Sequence, residues 1–157
     1  MASGASQLEH KHADAEPSLH GDLNALGLDA AGRLWIGGES GLALLANPDG
    51  KARWVDAAHP ARGNNPDVVG LLVDADGSVW FDTPPGLFRL RMDTSGAEQV
   101  EAISQKYGLS GQPFGANLLR DAQGRLWTQS HMLDPTLGRV LSLGPADGAE
   151  LGSGWFR

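Results

Sequence analysis

The sequence has no cysteine. That excludes a disulfide framework, a thiolate metal site and a cysteine nucleophile, and it leaves the compartment open. No apolar run approaches the ~18 residues of a membrane-spanning helix. The first residues carry no apolar stretch of the signal-peptide kind, so as written the chain is expected in the cytoplasm. Lysine and arginine number 12 against 19 aspartates and glutamates, a net charge of −7, and they form no cluster. Binding to nucleic acid or to an anionic membrane therefore has no electrostatic support. Aromatic residues are scarce at 6%, yet five of them are tryptophan, and three of those tryptophans organise the rest.

Those three close copies of one motif. Asp29-Ala30-Ala31-Gly32-Arg33-Leu34-Trp35, Asp74-Ala75-Asp76-Gly77-Ser78-Val79-Trp80 and Asp121-Ala122-Gln123-Gly124-Arg125-Leu126-Trp127 all read Asp-x-x-Gly-x-[Leu/Val]-Trp, with the tryptophans 45 and 47 residues apart. A leucine stands three residues before each aspartate, at Leu26, Leu71 and Leu118. After each tryptophan a glycine opens a second apolar run, at Gly41, Gly86 and Gly138. Further turns follow at Asn47-Pro48-Asp49-Gly50, Asp93-Thr94-Ser95-Gly96 and Pro145-Ala146-Asp147-Gly148. Aspartate suits these turns because it hydrogen-bonds its own downstream backbone, and glycine because it accepts positive φ. The runs between turns are too short for helices and have hairpin spacing. Four antiparallel strands every ~40–50 residues predict an all-β chain of β-propeller blades. The repeated Trp reads as a spacer packed between neighbouring blades.

Taken in order, residues 1–17 read as a disordered polar arm, in which His10 and His12 are a solvated tail rather than a metal site. Residues 18–157 read as three blades, at about 18–57, 58–105 and 106–157. Val68 to Val73 is apolar almost without a break, as expected of a strand buried on both faces. Gln99 to Ile103 reads as an exposed outer strand, with a short helix as the alternative. In the third unit the segment from Trp127 to Gly138 is longer than its counterparts, and Ser130 to Leu137 reads as an inserted loop. Closed propellers usually have ~4–8 blades. Three blades fit either a piece of a longer propeller, which is the preferred reading, or two copies pairing their open faces.

These units resemble the two-component regulator propeller repeat. The first keeps Trp35-Ile36-Gly37 and Gly41-Leu42, the second Val69, Trp80, Thr83, Gly86-Leu87 and Arg89, and the third the opening Gly108-Leu109. The resemblance runs from about Ser18 to Gly148, and the third unit departs from it after Trp127. It implies a sensor domain of the kind carried at the cell surface by hybrid histidine kinases or diguanylate cyclases. The location would then be extracytoplasmic, the chain a portion of a longer receptor, and its partners other propeller blades.

No nucleophile elbow, P-loop or His-Glu-x-x-His motif is present. Asp74-Ala75-Asp76-Gly77 starts like a calcium loop, but the following strand brings no carboxylate, so it reads as a turn. The expectation is a non-catalytic ligand-sensing module with no cofactor and no metal. Loops that gather on one face of a propeller nominate Arg62, Asn64, Tyr107, Gln112, His131 and Asp134 as ligand contacts, beside His59 and Asn65. Amide groups and a tyrosine suit a polar, sugar-like ligand. The alternatives are an enzyme resembling streptogramin B lyase, towards which Trp80-Phe81 and Gly138-Arg139-Val140 lean, and a protein-interaction scaffold.

Overall fold

The computed structural model describes residues 21–55, 67–109 and 113–144. The polar arm, the connector at 56–66 and the turn at 145–148 lie outside the described residues. What is described is all-β but for one helical turn. Three four-stranded antiparallel sheets follow one another, each one sequence repeat with its strands in chain order. The first sheet holds β1 (Leu23–Leu28), β2 (Leu34–Gly38), β3 (Gly41–Leu45) and β4 (Ala52–Trp54). The second holds β5 (Gly70–Val73), β6 (Val79–Thr83), β7 (Gly86–Met92) and β8 (Glu98–Ala102). The third holds β9 (Leu119–Arg120), β10 (Leu126–Trp127), β11 (His131–Asp134) and β12 (Arg139–Ser142).

The repeated motif is the hairpin between the first two strands of each sheet. In all three copies the glycine N–H donates to the aspartate carbonyl, at 3.0, 3.0 and 3.1 Å. Gly32, Gly77 and Gly124 have φ of 79°, 85° and 79°, with nothing near the missing Cβ. The left-handed backbone, not lack of room, is therefore what demands glycine there. The aspartate then ties the turn to the strand. Its carboxylate accepts from the indole Nε1 six residues on: Trp35 to Asp29 at 3.1 Å, Trp80 to Asp74 at 3.0 Å, Trp127 to Asp121 at 2.7 Å.

The second sheet is packed on both faces. Alternate residues Val79 and Phe81 join Trp35, Leu42, Leu44 and Val68 in a core between the first and second sheets. Trp80, between them in sequence, points the other way. It joins Leu87, Phe114, Leu126 and Leu133 in a core between the second and third sheets. The period of two along one strand thus serves two neighbours at once. Gly70 marks a close approach between the second sheet and the chain entering the third. A Cβ there would stand 2.8 Å from the Gly115 carbonyl oxygen and 2.9 Å from that of Ala116. Backbone cannot yield as a flexible side-chain end would, so Gly70→Ala is expected to cost about 1–3 kcal/mol. A lower urea midpoint with an unchanged slope would show it, and an unchanged midpoint would contradict the close approach.

Two sequence expectations change. The stretch after Trp127 is not an inserted loop: His131–Asp134 is the third strand, paired to β10 and β12. Thr128 folds the chain back at once, its N–H donating to the His131 carbonyl at 2.8 Å and its Oγ1 accepting from the His131 N–H at 2.8 Å. Gly138 therefore does not open the third strand as Gly41 and Gly86 do. It closes the next turn at φ 63°, where Asp134 Oδ1 accepts from the Thr136 and Leu137 N–H groups. The apolar run after Gly138 is the fourth strand. Ile103, in turn, ends the strand reading of 99–103. It begins a one-turn helix, α1 (Ile103–Lys106), which carries its buried side chain into the core between the second and third sheets.

Candidate functional site

Of the positions at which the three hairpins differ, the one after the glycine decides the ion pairs. Arg33 and Arg125 follow the glycine in the first and third copies, and each folds back onto its own aspartate at 2.7 Å. The second copy has Ser78 there. Asp74 thus lacks a guanidinium from its own turn, and Arg120 of the third sheet supplies one instead. Arg120 Nε donates to Asp74 Oδ1 at 3.1 Å, Nη2 donates to Oδ2, and Nη1 donates to the Gly124 carbonyl at 2.8 Å. A bidentate guanidinium–carboxylate pair is directional as well as strong. Here it bolts the third sheet to the second.

Ser78 has a second consequence. Its Oγ donates to Asp76, and its N–H donates to the same Oδ1 at 2.9 Å. Arg89 on β7 reaches across to Asp76 Oδ2 at 3.1 Å. Burial pushes the Asp76 carboxyl up, but the Ser78 hydrogen bonds and the Arg89 charge outweigh it and hold the group below the usual range. It is an anion at neutral pH, and 57% exposed. Arg89 and Arg120 each lie 5.0 Å from the centre of the Trp80 ring and so cover it. Arg89 Nε is buried without a hydrogen-bond partner. Together with Ala75, Gly124 and Pro135, these groups line an open depression of about 330 Å³. Two carboxylates and two guanidiniums make its lining neutral overall and dense in donors and acceptors.

The hairpin ends of the sheets hold this depression, at the opposite end of the strands from Tyr107 and His131, two of the expected ligand contacts. At that other end Tyr107 is half-buried against the core between the second and third sheets. His131 is buried on β11, its ring 4.8 Å from that of Phe114, and burial holds its pKa below the ordinary value. Its Nδ1 shares a 2.7 Å hydrogen bond with Ser130 Oγ. Asp134 ends the same strand three residues on, about 10 Å away at strand rise and on the opposite face. The structure does not bring His131 and Asp134 together. Arg62, Asn64 and Gln112, with His59 and Asn65, lie outside the described residues. Among the described residues no group of three or more His, Asp or Glu side chains gathers where a metal ion would sit, and no helix is long and apolar enough to cross a membrane. Sequence reasoning passed over Asp76, Arg89 and Arg120. The signal was there in Ser78, the one copy of three without its arginine.

No protein-family profile matches the chain, and no curated protein does. Among solved structures it is similar to one described as "Crystal Structure of the extracellular domain of the putative one component system BT4673 from B. thetaiotaomicron". The identity is 15%, the TM-score 0.37, and the match covers 78% of this chain. The chain spans about a quarter (25%) of the length of that structure.

Proposed function

We propose that the three sheets are blades of a β-propeller that acts as a non-catalytic ligand-sensing module, part of a receptor of the two-component or diguanylate cyclase kind. The repeat resemblance supports the propeller. The observation that carries the binding reading is the Ser78 break, which turns an otherwise closed hairpin into an open polar depression. A neutral lining rich in charged hydrogen-bonding groups favours a neutral polyhydroxylated ligand, such as a sugar, over an anion or a cation. Trp80 offers no free ring face, so recognition rests on Asp76 as acceptor and Arg89 as donor.

Calorimetric titration of the chain with a panel of neutral mono- and oligosaccharides tests this. Binding is expected, and Asp76→Ala is expected to weaken it about tenfold to a hundredfold, the worth of a hydrogen bond to a charged group. The variant loses the Ser78 and Arg89 bonds and should unfold somewhat earlier, so the titration is run where circular dichroism shows both chains folded. No heat with any sugar, or a Kd indifferent to the substitution, would refute the assignment.

A further inference from the structure

Each sheet has a front, towards the preceding sheet, and a back, towards the following one. The back of the first packs on the front of the second, and the back of the second on the front of the third. Two faces are left: the front of the first sheet and the back of the third. On that front, Leu26 and Leu28 hold the positions at which Leu71 and Val73 pack in the second sheet, and they are 61% and 67% exposed. On that back, Leu119, Trp127, Met132 and Leu141 pair in register across all four strands. Leu119 is 64% and Leu141 48% exposed. The equivalent rows on the first two sheets end in charge, at Arg53 and Glu101. The open row is apolar to its edge.

Charge decides what these faces fit. Behind each tryptophan the hairpin aspartate takes one arginine. Asp29 has Arg33, and the second sheet has Val73 at the position of Arg120, whereas Asp74 has none of its own and is met by Arg120. The open back carries its own pair, Asp121 with Arg125, and so calls for an apolar residue opposite. The open front offers Leu28 at that position. A second comparison agrees. Arg53 of the first sheet meets Glu98 of the second at 2.6 Å, but the open back has Leu141 in place of Arg53, and the open front has Gly50 in place of Glu98. Along these rows the two free faces would therefore meet without an unpaired charge; Asp134 and Arg139, opposite one another at the hairpin end of the open back, lie outside them.

We propose that the back of the third sheet docks on the front of the first sheet of a second copy, and reciprocally, so that two chains close one ring of six sheets. The contact repeats the one already made between the first and second sheets. Only the stoichiometry, stated for these 157 residues, rests on the propeller reading: rings hold ~4–8 blades, a range that two sets of the three described sheets meet and that one or three sets do not.

Light scattering on the eluting chain, over a range of concentrations, tests both parts. A particle of twice 16.5 kDa is expected. By equivalence Leu119 stands where Gly27 does, and a Cβ at Gly27 would lie 2.7 Å from Val73 and 3.4 Å from Leu71. Leu119 of one copy thus meets Leu26 and Leu28 of the other. Leu26→Glu alone and Leu119→Lys alone should each raise the dissociation midpoint at least about a hundredfold, as an unpaired charge in an apolar contact does. The double variant should regain the dimer, because Glu then meets Lys at both contacts. A front-to-front dimer would ignore Leu119→Lys and would not be rescued. Both leucines are exposed, so circular dichroism should be unchanged throughout. A chain that stays monomeric at every concentration, or a double variant no better than the singles, overturns the docking. A ladder of growing masses that responds to both substitutions upholds the docking and overturns the closed ring, and the propeller reading with it.

Discussion

Replacing Trp80 with alanine is expected to destabilise the fold by about 3–5 kcal/mol, the range for emptying a large buried aromatic site. The ring is buried between two guanidiniums and the core of Leu87, Phe114, Leu126 and Leu133. Its loss leaves a cavity and takes the indole donor from Asp74. Trp127→Ala provides the comparison. That tryptophan keeps the same indole–aspartate bond, here to Asp121, but it is only half-buried on the open back of the third sheet. It should cost about 1–2 kcal/mol, since less area returns to water. The measurement is urea unfolding in the Leu26→Glu background, where the open faces are held apart. Equal costs for the two tryptophans would mean that the hydrogen bond, not burial between sheets, is what the repeat residue contributes.

Stability that falls as the pH rises from about 4 to 7 is the second large effect expected, and Asp82→Asn should remove it. Asp82 lies on β6 with no exposed surface. Its Oδ2 accepts from the Phe114 and Gly115 N–H groups at 2.8 Å each, latching the chain as it enters the third sheet. Its Oδ1 is buried without a partner. Burial outweighs the backbone hydrogen bonds and raises the pKa from 3.8 to about 7. Below pH 3.8 the folded and unfolded chains both hold this proton. Between 3.8 and about 7 only the folded chain does, so each step up in pH favours unfolding. Across the whole window the loss is on the order of 4 kcal/mol.

The other shifted groups act elsewhere or with opposite sign. Asp29, Asp76, Asp93 and Asp121 have lowered pKa values, so the stability they add is lost only as acid protonates them, below about pH 4. His131, also lowered, destabilises the fold as the pH drops below 6.5. Chemical denaturation at half-unit steps from pH 4.5 to 8 separates the terms. The parent should lose stability with rising pH, and Asp82→Asn should show only the opposite, His131 trend. A parent curve that is flat or rising would place an ionised, stable carboxylate at 82.

The repeat was legible because its chemistry is local. Asp29, Gly32 and Trp35 settle their turn by hydrogen bonds that span at most six residues, and so do their counterparts. A seven-residue motif therefore carries its own structure, and three copies in register predict three four-stranded sheets. The unbroken apolar run from Val68 to Val73 likewise announced a strand with neighbours on both sides, and Leu71 and Val73 pack on one core while Leu72 packs on the other. The third repeat was misread where that logic was stretched to a single glycine: Gly138 looks like Gly41 in sequence but works in a different turn, set by Thr128 and Asp134.

What only the tertiary structure decided are the bonds between sheets. Arg120 reaches Asp74 across 46 residues of chain, and Asp82 takes backbone donors 32 and 33 residues away. Nothing in the sequence near Asp82 distinguishes it from an exposed strand aspartate; stacking the third sheet over it removes its water and raises its pKa. By itself the sequence determined the repeat and its turns, because hydrogen bonds within seven residues do not depend on what packs around them. The site, the latch and the two open faces waited on the order and spacing in which the sheets stack, because burial and long-range pairing belong to surfaces that exist only once the sheets have met.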